Sequence, residues 1–323
     1  MNDMLPSINR AVPSDLVVVL LATFNGSRYL RAQLDSIATQ SYPHWRIVVA
    51  DDGSSDDTLA VVQGFSADYP GRVQILRDAP VGSPRDNFFR LLRAAGPAPY
   101  FAFCDQDDTW SPDKLDRLVG RCQQIEARNH GTPCLVYSDL AVVDAQLELV
   151  NPSFINHVRA RPRDITHKTL LTENAIPGCA MLLNAPLADV VRVREFDTSK
   201  AIMHDWWIAL LAATVGHISY VPGALVHYRQ HSTNTLGSVK RSGLAFILSK
   251  LLRGNRSTVF QTYAQAAEFA SAYGDLLDPP VREDINAYAS LYNRHKLERV
   301  KVILKRRILK QTPGRRVYQL LRA

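Results

Sequence analysis

The feature that most narrows what this chain can fold into is the alternation, through its first part, of apolar runs of strand length with segments of helical period. Residues 16–22 form a continuous β-rich apolar run, after which Leu30, Leu34 and Ile37 recur at i, i+4 and i+7. Strand followed by helix is the reading. Residues 45–50 repeat the unit and end in Asp51-Asp52-Gly53-Ser54-Ser55-Asp56, a turn whose Ser and Asp side chains can cap the next helix. A third strand is expected at 73–76, a helix around Phe88, Leu91 and Leu92, and a fourth strand at 100–104. Ser111-Pro112-Asp113 predicts a helix start with an N-cap serine and a proline at the first position. Continuous apolar strands joined by helices predict a Rossmann-like α/β unit with a mostly parallel sheet covered on both faces. Sheets of this kind bind ligands at the carboxyl ends of their strands. Beyond residue 134 the pattern loosens into strands at 135–139 and 180–183 and a buried helix at 206–214; after Tyr228 it turns helical to the end, with Pro279-Pro280 as the clearest break.

Two of the strands end in acidic clusters, Asp51-Asp52 and Asp105-Gln106-Asp107-Asp108. Asp, Gly and Ser are also ordinary turn residues. Two such clusters at one sheet edge favour another reading, because crowded carboxylates repel unless a divalent cation or a donor-rich ligand offsets the cost. Mg²⁺ or Mn²⁺ held by one or two carboxylates, with its shell completed by water and the phosphate oxygens of a nucleoside diphosphate, fits. The glycine fingerprints of dinucleotide and P-loop sites are absent from the sequence. Cys104, Cys122, Cys134 and Cys179 show no C-x-x-C spacing and suit a reducing cytoplasm.

Several stretches together resemble family 2 glycosyltransferases of the GT-A fold: VVVLLATFN at 17–25, residues 34–42 with Gln40, IVVADDGSSD at 47–56 and DQDDTWSPDKL at 105–115. NAIPGCAMLLN at 174–184, MHDWW at 203–207 and YRQHSTNTLG at 228–237 resemble the bacterial rhamnosyltransferase branch in particular. The resemblance implies an inverting, metal-dependent transfer of a sugar, L-rhamnose from dTDP-rhamnose, to a lipid-linked glycan in cell-surface polysaccharide synthesis. It implies that Asp52 receives the N3–H of a uracil or thymine ring, so that the donor is a dTDP- or UDP-sugar. Asp105 and Asp107 become the D-x-D pair, with Asp107 the main metal ligand, and Asp205 becomes the catalytic base. Ala22 stands where some members place threonine, which leaves Thr23, Phe24 and Asn25 as the local nucleotide-binding candidates. Arg85 and Asn87, ahead of the helix before the D-x-D strand, are further donor candidates, Asn87 doubling as a helix cap. Gly178, a tight turn after Pro177, and Trp206 are candidates for the acceptor and sugar side, whereas Trp207 reads more readily as core. His231 is a candidate third metal ligand or diphosphate contact, with a solvent-facing histidine as the competing reading, and Arg229 beside it is read either as a phosphate contact or as a surface residue.

The net charge of +7 is unevenly placed: from Arg294 onward there are 11 basic residues and one acid, leaving a net −3 on the rest. The expected organisation is an N-terminal extension (1–14), a GT-A catalytic domain (15–238, divided near 130 into nucleotide and acceptor halves) and a helical, basic C-terminal region (239–323). Leu244, Ile247, Leu248, Leu251 and Leu252 share one helical face near Lys240, Arg241, Lys250, Arg253 and Arg256. A second stripe, Leu297, Val300, Leu304 and Ile308, is bordered by Lys305, Arg306, Arg307 and Lys310. Both predict association with an anionic membrane surface, or else packing on the catalytic domain. With few aromatics among the tail's charges, no nucleic-acid partner is expected. The apolar run at 16–24 is far shorter than the roughly 20 residues of a membrane span, so the chain is expected to be cytoplasmic and peripheral on the inner membrane face. Two competing readings are a nucleotidyltransferase acting on a sugar phosphate and a non-catalytic membrane or nucleic-acid adaptor.

Overall fold

A computed structural model describes residues 13–231 and 256–323. The interfacial helix expected at 244–252, with its basic neighbours at 240, 241, 250 and 253, lies outside the described residues, as do most of the N-terminal extension and residues 232–237.

The alternating runs form β1 (Val17–Thr23), α1 (Ser27–Ala38), β2 (Trp45–Asp51), α2 (Thr58–Asp68), β3 (Val73–Ile75), α3 (Pro84–Ala94) and β4 (Tyr100–Cys104). The pair β5 (Thr109–Trp110) and α4 (Lys114–Glu126) leads to β6 (Cys134–Val143) and β7 (Leu149–Asn151). The short helices α5 (Phe154–His157) and α6 (His167–Leu170) then precede β8 (Met181–Asn184), α7 (Ala185–Val193), α8 (His204–Val215) and β9 (His217–Arg229). Helix α4 begins later than the Ser-Pro-Asp signal predicts: the Ser111 hydroxyl donates to the Asp113 carboxylate at 2.8 Å, and Asp113 becomes the cap residue. Asp57 caps α2 without a side-chain bond, while Asp56 accepts the Thr58 N–H at 3.1 Å.

Among the described residues the sheet has nine strands in the order β3-β2-β1-β4-β8-β6-β9-β5, with β7 on β6. It is parallel from β3 to β4 and mixed beyond, because β8 runs antiparallel to both β4 and β6. Side chains alternate between faces. Val18, Leu20, Phe101 and Phe103 enter a core shared with α3 and α8, whereas Val17, Val19 and Leu21 face α1 and α4. The strand registers bring together segments distant in sequence. Thr23 pairs with Asp51 and Leu21 with Cys104, so β1, β2 and β4 end at one edge. Antiparallel β8 pairs Leu182 with Ala102, so its entry, residues 178–180, lies beside the end of β4. Thr109 pairs with His227, which carries the end of β9 back to the D-x-D loop.

The C-terminal helices are α9 (Arg256–Tyr273), α10 (Pro279–Ala289), α11 (Lys296–Arg306) and α12 (Pro313–Arg322). They join the face of the sheet that α3 and α8 cover: Tyr263, Phe269, Tyr273, Ile285, Tyr288, Ile303 and Ile308 share that core. Trp207 is fully buried there, stacked on Phe196 at 4.6 Å with its indole N–H 3.3 Å from the Tyr273 hydroxyl. The predicted stripe on α11 divides. Leu297 (77% exposed) and Leu304 (49%) face outward, Val300 packs partly buried against the core, and Ile308 is fully buried. The cause is Arg307, whose left-handed backbone (φ 55°) ends the helix and turns Ile308 inward, its N–H donating to the Ile303 carbonyl at 3.0 Å.

Candidate active site

Three walls meet at the strand ends. The first is built by β1 and β2. Asp51 gathers the Thr23 hydroxyl (2.8 Å), the Ser54 hydroxyl (2.6 Å) and the N–H groups of Gly53 and Ser54. Asn25, at φ 48°, accepts the Ser55 N–H at 2.8 Å. Thr23 and Asn25 therefore shape the turn, and exposed Phe24 stands at its rim. Asp52 Oδ1 accepts the N–H groups of Val81 (2.5 Å) and Gly82 (3.0 Å), which brings the segment after β3 across this wall, the one that the sequence resemblance assigns to the nucleotide. A cleft of about 420 Å³ lies there, lined by Asp51, Gly53, Leu59, Leu76 and Pro80 among others. Arg85 chelates Asp86 and reaches the Ala201 carbonyl at 3.1 Å, close to the start of α8. Asn87 is not brought into the cleft. It is buried, donating to the Ala50 carbonyl and accepting from Arg90, and Ser83 is the residue that caps α3.

The second wall is the D-x-D loop. The Gln106 amide accepts the Phe24 N–H and donates to its carbonyl, both at 2.9 Å, which ties the loop to the nucleotide wall. Asp107 Oδ2 lies 2.8 Å from His231 Nε2, and the His231 ring packs 4.9 Å from that of Tyr29. Arg229 is buried beneath the loop rather than at the surface: its N–H donates to Asp108 Oδ1 (3.0 Å), Nε to the Asp107 carbonyl (2.7 Å) and Nη1 to the Ala145 carbonyl (2.7 Å). Asp108 is fully buried, and burial with the charges of Asp107 and Asp105 raises its pKa well above the ordinary range. Asp105 is pushed up to about 7 by burial first and then by Asp107 and Asp205.

Lys114 lies underneath, wholly buried, donating from Nζ to the Cys179 carbonyl at 2.6 Å and sitting 3.2 Å above the Trp110 ring. Burial lowers its pKa to about 8. The acidic cluster at 105–108 was legible in the sequence, but Lys114, in the same DQDDTWSPDKL stretch, was not. A buried lysine behind an acidic loop gives no local signal, since its partner Cys179 is 65 residues away.

The third wall carries Asp205, in the first turn of α8. Its Oδ1 accepts the Trp206 N–H at 2.6 Å and its Oδ2 the Gly178 N–H at 3.2 Å. Burial raises its pKa to about 6, against the lowering effect of these N–H groups and of the Asn174 side chain. Cys179, next to the Gly178 that Asp205 holds, lies within 4.8 Å of Asp105 and Asp108, which sets Asp205 near the D-x-D loop. The Trp206 indole N–H donates to the Leu170 carbonyl, which leaves the ring half-buried beside Asp205. His204 is buried against Phe88 (4.1 Å) and Phe103 (4.8 Å), and burial drives its pKa down to about 3.

Gly178 is a glycine for a steric reason: a Cβ there would stand 2.7 Å from His204 Nε2 and 3.4 Å from Asp205 Cβ. Gly178→Ala should therefore cost about 1–3 kcal/mol of stability and lower turnover more than donor affinity. Melting temperature and steady-state kinetics check this.

The residues fit a hard divalent cation. Asp107 and His231 converge, and Asp105 carries a burial and repulsion cost that a cation would relieve. Asp105, Asp108 and Cys179 also offer atoms within 4.8 Å of one another. Without a cation, burial and the neighbouring carboxylates raise the Cys179 thiol well above its ordinary range, and Asp108 Oδ2 is buried with no hydrogen-bond partner among the described residues.

A parallel half-sheet ending in two acidic turns, extended by an antiparallel strand and closed by a third carboxylate, is the architecture of the GT-A class. The chain belongs to glycosyl transferase family 2, whose sequence pattern matches residues 18–190. It is 26% identical over 230 residues to a dTDP-rhamnosyl transferase, RfbG, from Shigella flexneri, covering 68% of this chain and 74% of that one. Residues 1–349 of S. aureus TarS in complex with UDP superpose with a TM-score of 0.57 at 16% identity, over 91% of this chain and 82% of that one. The mannosyltransferase PcManGT from Pyrobaculum calidifontis, in complex with GDP-Man and Mn2+, superposes with a TM-score of 0.52 at 17% identity, over 92% and 76%. At these identities the two structures bear on the fold.

Proposed function

We propose that this glycosyltransferase moves a sugar, L-rhamnose from dTDP-rhamnose, to a lipid-linked glycan by a single displacement with inversion. The observation that supports this best is the placement of Asp205: its Oδ2 accepts the Gly178 N–H, and the next residue, Cys179, lies within 4.8 Å of Asp105 and Asp108 in the loop where Asp107 meets His231. Asp52, with Oδ1 engaged by the Val81 and Gly82 N–H groups, presents Oδ2 to the N3–H of a thymine or uracil ring. Asp105, Asp107 and His231 hold Mg²⁺ or Mn²⁺, which when bound supplies positive charge to the departing diphosphate. Asp205 takes the proton of the acceptor hydroxyl as its oxygen bonds to the anomeric carbon. The bond from that carbon to the diphosphate oxygen breaks, and its electron pair leaves with the diphosphate. Trp206 and Gly178 flank the acceptor. Thermal-shift titration with dTDP-, UDP- and GDP-sugars, with and without Mn²⁺, tests the donor assignment: a metal-dependent shift with dTDP-rhamnose is expected, and a shift confined to GDP-sugars would refute it.

No helix among the described residues is long and apolar enough to cross a membrane. The proposed seat is the inner membrane face, supported by outward-facing Leu297 and Leu304 interleaved with exposed Lys301 and Lys305 on α11. At about 1 kcal/mol per charge, Lys301→Gln with Lys305→Gln should weaken binding to phosphatidylserine vesicles about 30-fold. Donor affinity should be unchanged, and vesicle sedimentation beside calorimetry checks both.

A further inference from the structure

The segment from Val158 to Asn174 is gripped by the C-terminal helices along its length. Lys168 Nζ donates to the Arg306 carbonyl (3.0 Å), and Asp284 pairs with Lys168 (3.1 Å) and His167 (3.2 Å). Arg161 N–H donates to the Gln311 side chain at 3.0 Å. The grip is tightest at Glu173, whose side chain is only 11% exposed. Its Oε1 accepts the Gln311 N–H at 2.6 Å and its Oε2 the Arg315 Nη1 at 3.0 Å, while Arg315 Nη2 reaches the Val158 carbonyl at 2.9 Å. Lys310 Nζ donates to the Thr172 carbonyl at 2.7 Å. Charge-assisted bonds to a nearly buried carboxylate are among the stronger polar contacts a fold can make.

The residues that fix Asp205 begin one position later. Asn174 Oδ1 accepts the Ile176 N–H (3.0 Å) and its Nδ2 donates to the Ile176 carbonyl (2.9 Å), and its side chain favours the ionised form of Asp205. Gly178 N–H donates to Asp205, and Leu170, on the other side of Glu173, receives the Trp206 indole N–H. We propose that Glu173 is a positioning residue: clamped by Arg315 and the Gln311 backbone, it lets the C-terminal helices set the loop from Asn174 to Gly178 that aims Asp205 at the acceptor. The tail then braces the site from which its sequence is remote, and part of its basic charge is spent inside the protein. This inference rests on the reading of Asp205 as the base.

The test uses the full chain carrying Glu173→Gln, Arg315→Met, both together, or Arg315→Lys. Turnover of dTDP-rhamnose with Mn²⁺ is measured beside hydrogen exchange of peptides covering residues 170–180 and 100–108. Displacement of a base by a fraction of an ångström should lower kcat about tenfold at nearly constant donor KM. Exchange should quicken at 170–180 and not at 100–108. The double variant should be no worse than either single one, and Arg315→Lys should recover part of the loss. Unchanged exchange at 170–180, or a raised KM with normal kcat, would overturn the clamp. If Glu173→Gln does not fold, the same outcomes are read from Arg315→Met, which leaves the Glu173 carboxylate and its bond from the Gln311 N–H in place. An Asp205→Asn control separates the two ideas. Normal turnover in that control removes the base while the exchange result still judges the clamp; lost turnover there with normal kcat in Glu173→Gln removes the clamp alone.

Discussion

Asp205→Asn is expected to lower turnover about a thousandfold while donor affinity stays within about twofold of the native protein. The carboxylate stands in the first turn of α8 with one oxygen on Trp206 N–H and the other on Gly178 N–H, and neither bond involves the nucleotide wall. Asparagine fills the same volume and keeps one of these acceptors, so the fold loses one hydrogen bond, about 1 kcal/mol. What it cannot do is take a proton. The same carboxyl sets the pH dependence. Burial raises its pKa to about 6, and a base works ionised, so kcat should fall as pH drops through about 6 and level off above it. In Asp205→Asn that acid limb should vanish from the residual rate. Calorimetric donor binding and a pH series of kcat separate this from general loss of structure.

The second large effect is expected from Asp107→Asn. Its carboxylate meets His231 at 2.8 Å, whereas the loop is anchored by the Asp107 carbonyl on Arg229 and by Gln106 on Phe24. Those anchors survive the substitution, so melting temperature in the absence of metal should change little. The affinity for Mn²⁺ and the increment that Mn²⁺ adds to nucleoside diphosphate binding should both fall. A turnover loss of about a hundredfold or more follows, because charge stabilisation of a leaving diphosphate is worth several kcal/mol. Titration of dTDP with and without Mn²⁺ into both proteins reads the effect directly. Equal metal-dependent binding in the two would place the cation elsewhere.

The elements most legible in the sequence were those whose signals are local. The runs that became β1, β2 and β4 are continuous because both faces of the strands are covered, and their acidic turns announced the edge where the site forms. Strand β9 gave no such signal. Its thirteen residues are unevenly buried, one side on β6 and the other carrying β5 at its end, so neither a continuous run nor a clean alternation marks it. The antiparallel insertion of β8, which places Gly178 beside the D-x-D loop, is a matter of topology that composition does not encode. Asn87 shows a related limit: a polar residue near a helix start looks available in the sequence, and only the tertiary fold shows its amide held by Ala50 and Arg90. In the tail, a stripe at 297, 300, 304 and 308 reads as one helical face until the left-handed Arg307 breaks it. The basic charges there divide accordingly. Arg306, Lys310 and Arg315 pair with acids of the protein, whereas Lys301 and Lys305 face outward.

The central claim is a single displacement in which Asp205 deprotonates the acceptor across the sugar from the diphosphate. A proton NMR time course of dTDP-rhamnose hydrolysis with Mg²⁺, in which water takes the place of the acceptor hydroxyl, read before the released sugar mutarotates, tests it directly. The first sugar to appear should have the anomeric configuration opposite to that of the donor. Release of the sugar with the donor's own configuration would contradict it.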